Sequence, residues 1–163
     1  MTRAFAVRDA EAQEMGRVRE LFREYADSLG FDLCFQSFEE ELATLPGAYS
    51  ADRNGALLVA ASAEVLIGCV GLRRLHMETE RGSVCEMKRL YVSPQGRGAG
   101  IGAALLDGIV ARARRLGYAS MRLDTVPSVM GRAVAMYREA GFREIPPYNN
   151  APLPEILYME LEL

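Results

Sequence analysis

The stretch "VSPQGRGAGIGAALL", Val92–Leu106, places glycine at 96, 98, 100 and 102, directly before an apolar, alanine-rich run. Glycine inside a helix costs about 1 kcal/mol relative to alanine, so four of them in and beside a helix start need a local cause. An anion supplies one. A glycine-rich turn entering a helix aims several backbone N–H groups at one point, where the helix end adds roughly half a positive charge. Charge-assisted hydrogen bonds of ~1.5–3 kcal/mol each would hold a pyrophosphate there without a lysine, with Gln95 and Arg97 as side-chain donors. A tight turn with close helix-to-sheet packing accounts for only one or two of the four glycines.

Reading outward, "AFAVRDA" is a short strand, with Asp9 as cap of the segment that follows. Met15, Val18, Phe22, Tyr25 and Leu29 keep one face of a long helix that Gly30 ends. "SFEEELATL" reads as a shorter helix, with Ser37 and Glu40 as a capping box. Two apolar runs about "SAE" make a hairpin, and "ERGSVCEMKRLYV" is a further strand. A helix from about Gly98 to Leu116 buries Ile101, Leu105, Ile109, Ala113 and Leu116, with Gly117 as its left-handed cap. "YASMRLDT" is a strand, "VMGRAVAMYREA" a helix stopped by Gly141, and "EILYMELEL" a closing strand. The order β, α, α, β meander, β, α, β, α, β means a mixed central sheet with flanking helices, of the α/β (α+β) class.

The 163 residues, half of them apolar, fit one globular domain over 1–163. A net charge of −3 with no basic block excludes nucleic acid as a default partner. Cys34, Cys69 and Cys85 lack CxxC spacing and His76 is the sole histidine, so no metal set is expected. No apolar run approaches the ~18 residues of a membrane span, and the N-terminus has no apolar export core. A cytoplasmic protein is expected, without a membrane partner. An oligomer of identical chains is left open.

Three phosphate-binding patterns compete for the glycine turn. A P-loop requires G-x-x-x-x-G-K-[ST], which this chain lacks. A dinucleotide fingerprint matches Gly98-Ala99-Gly100-Ile101-Gly102-Ala103 literally, with Asp124 at a following strand end. Against it, "SPQGR" intervenes between strand and turn, and too little chain remains for a second mononucleotide half. The third pattern is coenzyme A. "QGRGAG" fits Q/R-x-x-G-x-G/A, and with "EMKRLYV" before it and "AVAMYREAGF" after it the chain resembles the GNAT superfamily of acetyl-CoA-dependent N-acyltransferases. The specific motifs span about Cys85 to Phe142, and the element order is similar along the whole chain.

Strand periodicity adds an independent clue. Apolar side chains fall at Cys85 and Met87, then at Leu90 and Val92, so the alternation changes phase around Lys88 and Arg89, as a β-bulge would make it. The resemblance implies that this bulge splays the strand from its parallel neighbour "SMRLDT". The pantetheine arm would lie in that slot, and a backbone N–H between Leu90 and Val92, beside Tyr91, would polarise the thioester carbonyl. By the same resemblance Gln95, Gly96, Arg97, Gly98, Ala99, Gly100, Ile101, Gly102 and Ala133 contact the cofactor.

Amine attack on a thioester requires a neutral nucleophile. An amine of pKa ~10.4 is neutral about once in 2,500 molecules at pH 7, a handicap of ~4.6 kcal/mol that a base or a desolvated pocket removes. Glu86 matches the position from which some GNAT enzymes supply a base, and Tyr137 the tyrosine that protonates the departing thiolate. Many GNAT proteins carry an asparagine three residues before the Ala133 position; here Met130 stands there. Phe31, Asp32 and Phe35 of "GFDLCFQSF" and Tyr148 and Asn149 of "IPPYNNAPLP" are acceptor-side candidates by resemblance. A covalent acetyl-cysteine is disfavoured, since Cys85 has no histidine partner and points away from Glu86. The expected activity is acetyl transfer from acetyl-CoA to an amine of a small molecule or peptide. The alternatives are an acyl-CoA sensing module without turnover and a dinucleotide-binding protein.

Overall fold

The computed structural model describes residues 4–33, 37–151, 153 and 155–163. One seven-stranded sheet runs through the protein in the order β1-β2-β3-β4-β5-β7-β6. Its strands are β1 (Ala6–Asp9), β2 (Ala56–Ser62), β3 (Val65–Thr79), β4 (Gly82–Val92), β5 (Ser120–Thr125), β6 (Arg143–Ile145) and β7 (Leu157–Glu162). Among the described residues four α-helices cover it: α1 (Met15–Leu29), α2 (Phe38–Thr44), α3 (Ile101–Arg115) and α4 (Pro127–Glu139).

Period-two alternation divides the core between the two faces of the sheet. Leu58, Ala60, Cys85, Met87 and Met121 pack with Ile101, Leu105, Ile109 and Tyr137 of α3 and α4. Leu57, Val59, Cys69 and Tyr91 pack with Val18, Leu21, Phe22 and Leu42 of α1 and α2. The mixed sheet with helices on both faces matches the architecture read from the sequence. Only β4 and β5 run parallel among the described strands. A dinucleotide fold, built on a parallel sheet, is therefore ruled out.

Several local expectations are corrected. The helix after the glycine turn starts at Ile101 rather than Gly98, because Gly98 and Gly100 take φ of 83° and 78°. Leu116 is exposed, one residue past the helix, where the stripe has rotated away from the sheet. Ser37 makes no side-chain cap, since its own backbone is left-handed. Asp9 ends β1 and binds Arg112 of α3 through both carboxylate oxygens, at 2.8 and 2.7 Å, instead of capping a helix. The three-residue β6 is an additional strand on the edge beyond β7. Among the described residues no helix is long and apolar enough to cross a membrane.

Candidate active site

The pairing of β4 with β5 covers only Val84 with Ser120, Cys85 with Met121 and Glu86 with Arg122. Beyond Glu86 the two strands part. The cause lies in β4 itself: Arg89 has φ 60°, and the register against β3 passes from Lys88 opposite Gly71 to Tyr91 opposite Cys69. Arg89 and Leu90 thus oppose the single residue Val70, a bulge at the position where the apolar alternation changes phase. Among the described residues, the edge of β4 from Met87 to Val92 has no strand partner on the β5 side.

The parted strands open a cavity of about 490 Å³. Residues 87–92 of β4 form one wall, and Leu123 and Asp124 of β5 the other. Met130, Ala133, Met136 and Tyr137 of α4 and Gly102 of α3 close one side; Tyr25, Ser28 and Leu29 of α1 close the opposite side. Exposed Arg97 and Arg132 complete the lining with positive charge. Of the sequence-predicted cofactor contacts, the cavity walls contain Leu90, Tyr91, Val92, Arg97, Gly102 and Ala133, together with Tyr137.

The glycines beside it serve different needs. Gly98 and Gly100 need left-handed backbone, where a side chain would be strained although nothing crowds it. A Cβ at Gly96 would meet Ile101 Cδ1 at 3.1 Å and Val92 Cγ1 at 3.2 Å, so this glycine is a packing residue, as the turn-and-packing explanation requires. Gly102 stands across from Val92 and Met136, and its missing side chain keeps that passage clear. The loop residues Gln95, Gly98, Ala99 and Gly100 are exposed, and Ile101 is buried under them. The first-turn N–H groups of α3 have no intrahelical partner and lead into the cavity at Gly102.

Tyr137 is buried and packs its ring against Phe142 at 5.7 Å between centroids. Burial pushes its phenol above the usual tyrosine range, so the hydroxyl keeps its proton at neutral pH. Met130 interrupts α4 with φ −121° and ψ 34° and lines the cavity where the family's asparagine would be. The Cys85 side chain lies in the α3-side core and donates to Ser120 O at 3.6 Å. Burial pushes its thiol up to about 12, which leaves no thiolate for a covalent route.

Glu86 is buried on the opposite face, outside the cavity lining. Arg73 donates to its Oε1 through Nε at 2.8 Å and Nη2 at 2.7 Å, and the Tyr148 hydroxyl donates to Oε2 at 2.6 Å. Lys88 Nζ lies 3.9 Å from Oε1. Burial alone would raise this carboxyl, but Lys88, then Arg73 and Tyr148, outweigh it and hold the group below the usual range. Its contribution to stability is therefore full above the ordinary glutamate value near ~4.3 and declines as pH falls through the lowered folded-state value. Glu86→Ala leaves Lys88, Tyr148 and Arg73 without their shared acceptor, and the expected cost is about 2–4 kcal/mol at pH 7. Urea unfolding should show this loss shrinking as the pH is taken below about 4.

The loop after β6 is stitched across the open seam. Asn149 Nδ2 donates to Asp124 Oδ2 at 3.1 Å, and Tyr158 donates to Asn149 Oδ1 at 2.7 Å. The Tyr148 ring packs edge-on to Tyr158, with the Arg122 guanidinium 5.3 Å from its centroid. Tyr148 and Asn149 thus stand behind Glu86 and Asp124 rather than in the cavity wall. Phe31 lines a narrow recess that shares Tyr25, Leu29, Asp124 and Met130 with the cavity. Asp32 is exposed and lines neither space. Phe35 lies outside the described residues.

Sequence reasoning gave Lys88 and Glu41 no functional role and weighed Asp124 only as the acid of a dinucleotide site. Lys88 and Asp124 face the cavity from its two strands. Glu41 of α2 grips Arg89 through both carboxylate oxygens, at 2.9 and 3.0 Å, and so pins the bulge. Lys88 had a signal available, as the only lysine in the chain. Nothing in the composition marks Glu41.

Residues 16–142 match the model of the Acetyltransferase (GNAT) family. An uncharacterized N-acetyltransferase of Schizosaccharomyces pombe is 38% identical over 152 residues, 93% of this chain and 90% of that protein. Among solved structures, an acetyltransferase from Streptococcus agalactiae superposes with a TM-score of 0.79 at 17% identity, over 99% of this chain and 100% of its own. A predicted acetyltransferase from Clostridium acetobutylicum, solved with acetyl-CoA, gives 0.74 at 16% identity over 91% of this chain and 96% of its own. With the bulged, parted strand and the glycine turn already in place, these matches settle the family: the chain belongs to the GNAT acetyltransferases.

Proposed function

We propose that the protein transfers an acetyl group from acetyl-CoA to a primary amine by direct attack within a ternary complex. The observation that carries this reading is the parting of β4 and β5 after Glu86, which opens a cavity reaching from the glycine turn to Tyr137. The turn 96–100 and the first turn of α3 take the pyrophosphate, with Arg97 and Arg132 adding charge. The pantetheine arm lies along the unpaired edge of β4, where a main-chain N–H between Leu90 and Val92 polarises the thioester carbonyl. The amine enters from the side of Tyr25, Leu29 and Asp124. Its neutral nitrogen bonds to the carbonyl carbon and sheds its proton to Asp124 on that side, the C–S bond breaks with its electron pair on sulfur, Tyr137 supplies the proton that completes the thiol, and solvent carries the shed proton back to the phenolate.

The test is release of free thiol from acetyl-CoA across a library of primary amines, run beside calorimetric binding of acetyl-CoA. Amine-dependent thiol release supports the reading. Binding without release for any amine would leave a sensing module in its place.

A further inference from the structure

Every member of the chain's 19 Lys and Arg residues is arginine except Lys88, and that one lysine is buried in the wall of the cavity. The chain otherwise meets each need for positive charge with a guanidinium, which does not give up its proton in a protein. An ammonium can, and burial favours its neutral, nucleophilic form. Lys88 lies two residues before Leu90, on the near side of the bulge, a distance a lysine side chain can span. It shares the cavity with Leu90–Val92, where the thioester carbonyl would sit, and with Tyr137.

We propose that Lys88 is an internal acceptor, so that with acetyl-CoA bound and no amine present the enzyme acetylates its own Lys88 Nζ. The inference rests on the acetyltransferase reading above and adds a modification site to it. The neutral Nζ forms the N–C bond to the carbonyl carbon and the C–S bond breaks with its electron pair on sulfur. Tyr137 protonates that sulfur, the proton shed by Nζ passes to Asp124, and solvent returns it to the Tyr137 phenolate. Acetyl-CoA and Lys88 become CoA and acetyl-lysine, with no other reactant.

The surroundings suit this step. Glu86 at 3.9 Å and Asp124 across the seam face the ammonium, opposed by Arg73 of β3 and Arg89 beside it, while Tyr25 and Tyr137 face the same space from α1 and α4. Burial lowers the Lys88 pKa and outweighs the two carboxylates. The rate should therefore rise with pH until the neutral amine is saturated. Acetylation removes the charge and sets an amide in the wall on the acceptor side, which blocks later turnover.

The purified chain is incubated with acetyl-CoA alone, weighed intact and mapped by peptide mass spectrometry. The expected result is a gain of one acetyl group per chain, located on Lys88, absent from Lys88→Arg and suppressed by excess CoA. Thiol release with an added amine should fall in proportion to the acetylated fraction. Calorimetric binding of acetyl-CoA without any mass gain, or acetyl groups mapped only to the N-terminal amine, would overturn the proposal and leave the acetyltransferase reading intact. Absence of acetyl-CoA binding would instead remove that reading, and this inference with it. The wild-type mapping stands even if Lys88→Arg does not fold.

Discussion

Glu41→Ala is expected to destabilise the fold by about 3–5 kcal/mol, enough to lower the melting temperature of a domain this size by about 6–20 °C. The loss centres on one cation. The Arg89 side chain is 1% exposed and lies against the rings of Tyr25 and Phe38, with guanidinium-to-centroid distances of 5.7 and 5.2 Å. Burial acts to lower its pKa, but the two Glu41 hydrogen bonds and their charge prevail and keep the guanidinium firmly protonated. With Glu41 truncated the charge stays buried without its carboxylate, and the Tyr49 hydroxyl loses its acceptor at 3.0 Å as well. Because Arg89 holds the left-handed turn of the bulge, the variant that remains folded should also bind acetyl-CoA more weakly. Chemical denaturation checks the stability and calorimetry the affinity. A change below about 1 kcal/mol would mean that the bulge does not depend on α2.

Tyr137→Phe is expected to lower kcat by about 10²–10⁴-fold with acetyl-CoA affinity unchanged. The substitution removes one oxygen from a ring whose packing partner, Phe142, remains, so the helix and the cavity wall are kept. What disappears is the proton that burial holds on the phenol. Steady-state thiol release and single-turnover measurements separate the two effects. If binding weakens while kcat is kept, Tyr137 positions the cofactor and the sulfur takes its proton from water.

The parts of this site that arise within one strand or one turn were readable in advance. The phase change from Met87 to Leu90 announced the bulge, because side-chain alternation reports backbone register directly. Gly117 announced the left-handed cap that ends α3, since few other residues tolerate its φ of 86°. The spacing of Ala133 and Tyr137 placed both on one helix face, and both reach the cavity. The parts that depend on distant partners were hidden. Glu41 and Arg89 are 48 positions apart, and no local pattern distinguishes that glutamate from Glu39 or Glu40 beside it. Glu86 read as a base because its strand position matched, yet its surroundings come from Arg73 on β3 and Tyr148 on the final loop. Ser37 carried the composition of a cap, but its backbone turned left-handed as the chain entered α2. Leu116 continued the helical stripe in sequence after the helix had ended in space.

The central claim is that the seam between β4 and β5 holds the cofactor, and Gly102 allows a direct test. An added Cβ there would meet only Val92 Cγ2 at 3.8 Å and Met136 Sδ at 3.9 Å, both ordinary contacts, so Gly102→Phe should fold while its ring fills the passage. Acetyl-CoA is titrated calorimetrically into the wild type and this variant, after confirming that their ligand-free melting temperatures agree. The account predicts binding to the wild type and a loss of at least about 100-fold in the variant, equivalent to ~2.7 kcal/mol. Equal affinity in both proteins, or no binding to the wild type, would contradict it.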